Sequence, residues 1–331
     1  MAFFIENLDN YIEKWRNLQE ASSTFSYFQS QECFEFYSSL YFMRPFAYGV
    51  EENGELKAVI VGYVTYDKNP AKQFLTRRAV INAGPMLADD VSEKALALLL
   101  SETQKRLKKQ AIYIETRNFF DYSAYKPVFE RAGFKYEKHL NFKVDTTTID
   151  IVDANVSKNI KRDVKTSVRD GAVIVEKPSP EQVSQYYDLL SDLYKTKVKT
   201  PLFPKEFFTK LADFPSTHYL LVDFNGKIIG GTVCVGFGGK MYEWFVCGED
   251  RLIKHVFPSL LATYSALRYC AENGFSVFDM MGAGKPDEDY GVRDFKARFG
   301  GKLVEEGRFV HIAHPLLYKI GKWGVKLLKK I

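Results

Sequence analysis

The chain has 331 residues, enough for two domains of ordinary size that each bury a core. A hydrophobic share of 46% with 15% aromatics excludes a disordered chain, and no apolar run approaches the roughly 18 residues that span a bilayer. Net charge is +5: residues 1–145 balance 19 basic against 19 acidic side chains, so the excess lies in 146–331, with 27 against 22, and points to an anionic partner there.

In chain order, the N-terminus carries Glu6, Asp9 and Glu13 and lacks the basic-then-apolar pattern of a secretory signal, so a cytoplasmic protein is expected. Leu8 to Glu20 is patterned as a helix, and Phe25 to Ser30 as a loop. Pro45 to Glu51, the turn Asn53-Gly54 and Glu55 to Tyr66 read as a hairpin. Asn82-Ala-Gly-Pro85 ends a strand and leads into a helix over Glu93–Lys109. A strand-like run follows at Ala111–Glu115, then Phe129-Glu-Arg-Ala-Gly-Phe134 and a closing strand ending near Val144.

The second half repeats this order. A basic helix runs from Ser157 to Arg169, stopped by Asp170-Gly171, and another helix follows Pro180-Glu181. Lys195 to Pro204 is an irregular, proline-broken basic segment. Asn225-Gly226 turns a second hairpin, Pro258 to Asn273 forms a helix, and Ser276 to Met280 a strand. Tyr290-Gly-Val-Arg-Asp-Phe-Lys-Ala-Arg-Phe-Gly-Gly301 then answers the Phe129 segment 166 residues upstream, a pairing that sets Lys296 at Glu130. The closing strand is Gly307–Ile312. The chain thus reads as two copies of one α/β unit, 1–145 as platform and 146–314 as the working half, with a basic amphipathic helix at 315–331.

Chemistry-bearing groups concentrate in the second half. Lys158, Lys161, Arg162, Lys165 and Arg169 share one helix face, with Val156, Ile160, Val164 and Val168 on another. Few acids stand nearby, so phosphate recognition competes with a plain solvated face. Gly282-Ala-Gly284 fits no phosphate-loop spacing and reads as a strand-to-helix turn with left-handed glycines. No nucleophile elbow is present. Cys33, Cys234, Cys247 and Cys270 show no metal or redox spacing, and His311-x-x-His314 reads as strand-end structure, so no metal is expected. In the last helix, Leu316, Ile320, Trp323, Leu327 and Ile331 form a stripe flanked by lysines. That stripe either docks on the body or lies on an anionic membrane surface.

Two tandem acetyltransferase-like (GNAT) units with the Ser157–Lys165 basic helix between them resemble the FemABX family. The pattern Phe278-Asp279 followed by Phe295-Lys-Ala-Arg-Phe-Gly300 is similar to the family's closing motif, and Phe28-Gln29-Ser30 and Gly84-Pro85 to its first-unit features. The likeness spans roughly residues 25–312. It implies an α/β fold of mixed sheets flanked by helices. It also implies aminoacyl transfer from aminoacyl-tRNA to an amine of a nucleotide- or lipid-linked peptidoglycan precursor, with no further cofactor, at the inner face of the membrane. Lys296 then takes the place of the family's catalytic lysine, and Lys161, Arg162 and Lys195–Lys199 lie near the precursor's phosphates. Lys197 and Lys199 stand where bridge-forming members carry an arginine. The Thr200–Phe208 pattern is closer to polysaccharide-associated relatives, so the alternative is an acyl-CoA-dependent N-acyltransferase acting on a surface-polysaccharide or lipid-linked sugar. The coiled-coil arm of some members is absent.

Aminoacyl transfer needs stabilisation of a tetrahedral oxyanion, which a lysine ammonium supplies at about 3 kcal/mol per donor. Lys296 is the candidate, with Phe295 as its buried neighbour. A base is drawn from Asp279, Glu243 or Asp294. Lys165, Tyr290, Arg293 and Glu243 complete the expected substrate contacts. Neither Asn82–Glu93 nor Cys247–Ser259 contains the glycine-rich loop that binds coenzyme A pyrophosphate, which favours the aminoacyl-tRNA donor.

Overall fold

The computed structural model describes residues 1–6, 8–250 and 252–328. The chain opens with β1 (Ala2–Ile5), α1 (Ile12–Ala21), α2 (Gln31–Ser38), β2 (Met43–Glu52), β3 (Glu55–Thr65), α3 (Pro70–Thr76), β4 (Ala79–Ala83), β5 (Met86–Leu87), α4 (Glu93–Leu107), β6 (Tyr113–Asn118), α5 (Lys126–Arg131) and β7 (Lys135–Glu137). The middle stretch holds β8 (Leu140–Asp145), α6 (Ile149–Asn155), α7 (Lys158–Arg169), β9 (Ala172–Val175), α8 (Pro180–Leu193), α9 (Lys205–Leu211), β10 (Thr217–Phe224), β11 (Lys227–Phe237), β12 (Lys240–Gly248), α10 (Pro258–Glu272), β13 (Val277–Asp279), α11 (Gly291–Ala297) and β14 (Lys302–Glu305). Strand β15 (Arg308–Ile312) and helix α12 (Pro315–Leu328) close the chain.

Local chemistry explains most of these boundaries. Asn53 and Gly54 take φ of 52° and 87°, and Asn225 and Gly226 take 53° and 80°. Asparagine and glycine tolerate that left-handed pair best, and its twist matches the flanking strands. Ser92 caps α4 by accepting from the Ala95 amide at 3.0 Å, and Pro258 starts α10 where a helix needs no amide hydrogen. Ser179 and Gln182 form a reciprocal capping box at α8.

The strands make two mixed sheets. One runs β1-β2-β3-β4-β6-β15-β7, with β5 pairing β3, and the other β14-β8-β13-β12-β11-β10-β9. The compact units are Met1–His139 together with the chain from Glu305 onward, and Leu140–Val304. Each has its own apolar core, centred on α4 in the first and α10 in the second. This division differs from the expected 1–145 and 146–314. The closing strand of each repeat is exchanged: β8 pairs β13, and β15 pairs β6 and β7. Linear reading assigns a strand to the repeat it ends, whereas hydrogen bonding assigns it to the sheet that completes its ladder. Read sheet by sheet, the two units follow the same order of strands.

In the first unit, β6 and β15 set Arg117 directly opposite Arg308. Glu115 holds both, at 3.2 and 2.7 Å. Burial alone would raise its carboxyl, but the charges of Arg117, Arg308 and Arg78 overcome this and hold it at about 2. His311 and His314 rest against the backbone carbonyls of Gly133 and Lys108. They serve the strand end, as the sequence suggested.

Candidate functional site

The second unit's sheet opens where chemistry was expected. Strands β12 and β13 run parallel, with Lys240, Met241 and Tyr242 beside Val277, Phe278 and Asp279, and their pairing ends there. Two features part them. On the β11 side, the register slips so that Val233 faces Phe245 while Cys234 faces Glu243, leaving Trp244 as a bulge. Aromatic packing holds that bulge: Phe207 meets Trp244 edge-on at 5.1 Å, and Phe203 stacks on Phe207 at 4.4 Å. On the other side, Met281 and Gly282 take φ of 51° and 96°, and the Met280 and Ala283 amides donate to Phe142 and Leu140 of β8. The chain after Asp279 therefore stays with β8 and leaves β12.

Parting strands strand their carbonyls, and Lys296 answers them. It is only 5% exposed, and its ammonium donates to the Met280 carbonyl and, at 2.7 Å, to that of Gly282. Two buried carboxylates act on the same charge. Glu243 accepts from Thr263 at 2.9 Å and Thr232 at 3.4 Å, while its Oε2 has no hydrogen-bond partner. Asp279 accepts at one oxygen from Asn141 and the Met281 amide, both at 2.8 Å, and its Oδ2 likewise lacks a partner. Burial pushes Lys296 below the usual lysine range, with Glu243 and Asp279 pulling it back. Burial also pushes Glu243 and Asp279 up, opposed chiefly by Lys296 for the first and Lys143 for the second. Burial disfavours the charged form of all three, and their mutual attraction offsets part of that cost. Such a set can hold a cation near a reacting oxygen and take up a proton.

The first unit lacks this opening. Its parallel pair, β4 and β6, stays in register through five residue pairs from Ala79–Ile114 to Ala83–Asn118. The corresponding short helices also differ from the expected alignment. Each ends at a left-handed glycine, Gly133 (φ 80°) and Gly300 (φ 78°). Counting back four residues reaches Phe129 in one and Lys296 in the other. Phe129 is fully buried and stacks on Phe309 at 4.0 Å, whereas Glu130 is exposed. Lys296 thus occupies a core aromatic's place, not that of Glu130. Phe295 is correspondingly the half-buried neighbour, edge-on to Phe299 at 5.2 Å, and the lysine is the buried one.

Other expected site residues take varied positions. Arg293 donates to the carbonyls of Ala283, Lys285 and Glu288, so its guanidinium ties the loop after β13. Tyr290 is exposed and its ring lies against Gly284, where a side chain would meet it. Asp294 is exposed and outside the buried cluster. Lys161 is half-buried and donates to the Asp153 carbonyl at 2.7 Å, which commits it to the fold. Arg162 is exposed beside Asp163 at 2.9 Å, and Lys165 is exposed. Val168 is exposed too, outside the apolar face, because the helix buries only Ile160, Val164 and Ser167. Lys197 and Lys199 are exposed at a π-helical turn (Tyr194–Val198) that ends with Lys199 at φ 52°; the turn takes the start of the expected irregular segment, and 199–204 is irregular. The Thr200–Phe208 pattern ends in the core, where Phe207 and Phe208 are fully buried.

Sequence reasoning passed over four contributors. Asn141 holds Asp279 and accepts from the Gly282 amide at 2.9 Å. Thr232 and Thr263 hold Glu243. Asp250 accepts from the Ser259 amide at 2.9 Å and from its hydroxyl, so a carboxylate of the chain itself sits at the start of α10. An acid eight residues ahead of a proline-initiated helix was the available signal for the last.

Residues 154–296 match the family described as acetyltransferase (GNAT) domain. A comparison with curated proteins found no match. Among solved structures, the chain is similar to FemX, with a TM-score of 0.72 at 13% identity over 96% of this chain and 99% of that one. It is similar to a tandem GNAT protein from the clavulanic acid biosynthesis pathway, at 0.61 and 8% over 95% and 99%. It also resembles the C-terminal domain of a putative lysylphosphatidylglycerol synthetase from Agrobacterium fabrum, at 0.59 and 13% over 95% of each chain. The fold is the tandem GNAT fold that the sequence resemblance implied, and with the domain match it supports an acyltransferase.

Proposed function

For an acyltransferase built as two FemX-like GNAT units, we propose transfer of an aminoacyl group from aminoacyl-tRNA to an amine of a peptidoglycan precursor. The observation that carries this reading is Lys296, buried where β12 and β13 part. Two of its three N–H groups hold carbonyls, and the third is available to an oxyanion. The acceptor amine attacks the ester carbonyl, a C–N bond forms, and the ester C–O bond breaks. The proton lost by the amine leaves with the tRNA hydroxyl. Glu243 and Asp279, both raised by burial and each with a partnerless oxygen, are suited to relay it.

The donor assignment draws on Asp250. In a coenzyme A enzyme of this fold, the start of the long helix would favour pyrophosphate. Here Asp250 occupies the Ser259 amide and would repel one. Exposed cations on α7 and on the turn at Tyr194–Val198 suit an RNA or phosphorylated partner.

The test supplies charged tRNA and either nucleotide-linked or lipid-linked precursor, and looks for amide product by mass spectrometry. Product with wild type and none with Lys296→Met is the expected result. Tight binding of acetyl-CoA by calorimetry, with no tRNA-dependent product, would overturn this reading in favour of sugar N-acylation from a coenzyme A thioester.

A further inference from the structure

Helix α12 keeps its oilier side in water. It meets the first unit through half-buried Leu317, Tyr318, Gly321 and Gly324. Tyr318 lies edge-on to Tyr113 at 5.1 Å, and the Leu75 carbonyl of α3 comes within 3.7 Å of where a side chain on Gly321 would begin. The two helices therefore pack in ordinary contact at that point. The stripe read from sequence therefore does not dock on the body: Leu316, Ile320 and Trp323 are 77%, 53% and 67% exposed. Leu327 falls where side chains are not described, and Ile331 lies outside the described residues. Helix α3 adds Phe74 and Leu75, 50% and 41% exposed. Five large apolar side chains on two neighbouring helices exceed the scattered singles of an ordinary surface.

Charge identifies what covers them. Neither Pro70–Thr76 nor Pro315–Leu328 contains an acid, while Lys319 and Lys322 are exposed among the apolar groups, and exposed Lys72 pairs with Asp67 at 2.7 Å. A second copy of the chain would bring like charge against like charge. An anionic lipid surface offers hydrocarbon for the apolar groups and phosphates for the lysines. No described helix is long and apolar enough to cross a membrane, so contact would lie in the headgroup plane. We propose that α3 and α12 together seat the protein on an anionic bilayer, with Phe74, Leu75, Leu316, Ile320 and Trp323 inserted. This inference stands apart from the acyl-transfer reading.

The test sediments the full-length chain with phosphatidylcholine vesicles, with and without phosphatidylglycerol. Binding only to the anionic vesicles is expected, weakening as salt screens the lysines. Trp15 is buried and Trp244 half-buried, so a blue shift on binding reports Trp323. Trp323→Ser, and separately the pair Phe74→Ser with Leu75→Ser, should each cut partitioning about tenfold or more with unchanged melting temperature. Equal binding to neutral vesicles, variants that bind like wild type, or vesicle-free dimerisation abolished by the α3 pair would overturn the proposal. Acyl-transfer activity in solution bears on none of these readouts.

Discussion

Replacing Lys296 by methionine keeps the bulk of the stem and removes the ammonium. The Met280 and Gly282 carbonyls then lose their donor, and each buried acceptor left unsatisfied costs about 1–3 kcal/mol. Glu243 and Asp279 lose a shared cation, a loss of the kind that costs about 3–5 kcal/mol when a buried pair is broken. Relief from burying an ammonium offsets part of this, so a net loss of about 3 kcal/mol is expected. The pH dependence separates the terms. Burial lowers Lys296, so the unfolded chain binds the extra proton at this group, and its contribution to wild-type stability rises with pH up to the ordinary lysine value of about 10.4. Glu243 and Asp279 are raised by burial and would rise further without the lysine, so the variant weakens as pH climbs through their ionisation. Both trends widen the gap between the proteins toward alkaline pH. Urea titrations across the pH range measure it. Equal unfolding free energies, or a gap that narrows with rising pH, would refute the placement of the charge.

Glu115→Gln should remove an acid-sensitive share of stability. The fall from 4.5 to about 2 corresponds to roughly 3 kcal/mol, fully present above the unfolded value and lost as pH drops through the folded one. Thermal melts of the variant should therefore be lower at neutral pH and flatter over that acid window. Gly226→Ala and Gly300→Ala both strain a left-handed residue, but only the second collides, with the Asn155 carbonyl. A loss of about 1 kcal/mol is expected for the first and about 3 kcal/mol or more for the second, read as melting shifts. Arg293→Lys cannot span three carbonyls, so limited proteolysis should cut within 283–289 faster than in wild type.

Short-range signals were legible. The Asn-Gly turns, the long helices from Glu93 and Pro258, and the left-handed glycines at 282 and 284 follow from backbone preferences that a few residues specify. Long-range pairing was not. Nothing in Leu140–Asp145 or Arg308–Ile312 records which sheet each joins, because both are alternating strands that suit either ladder. The site was half visible. Lys296 and Glu243 carry unusual chemistry for their positions, yet their burial depends on a bulge at Trp244 and a one-residue shift before Gly300 that spacing alone conceals. Aligning on phenylalanine instead of glycine produced the mistaken match to Glu130. Which way the final helix faces was left open by its sequence, and packing through Leu317 and Tyr318 turns Leu316, Ile320 and Trp323 outward.

The exchanged strands bear on how the protein is made. Strand β7 reaches its sheet only through β15, so the N-terminal unit cannot finish folding until β15 has left the ribosome. The unit spanning Leu140–Val304 is contiguous and can close first. Synthesis order and folding order therefore run opposite ways, and a gene cut between the apparent repeats would leave an orphan edge on either side.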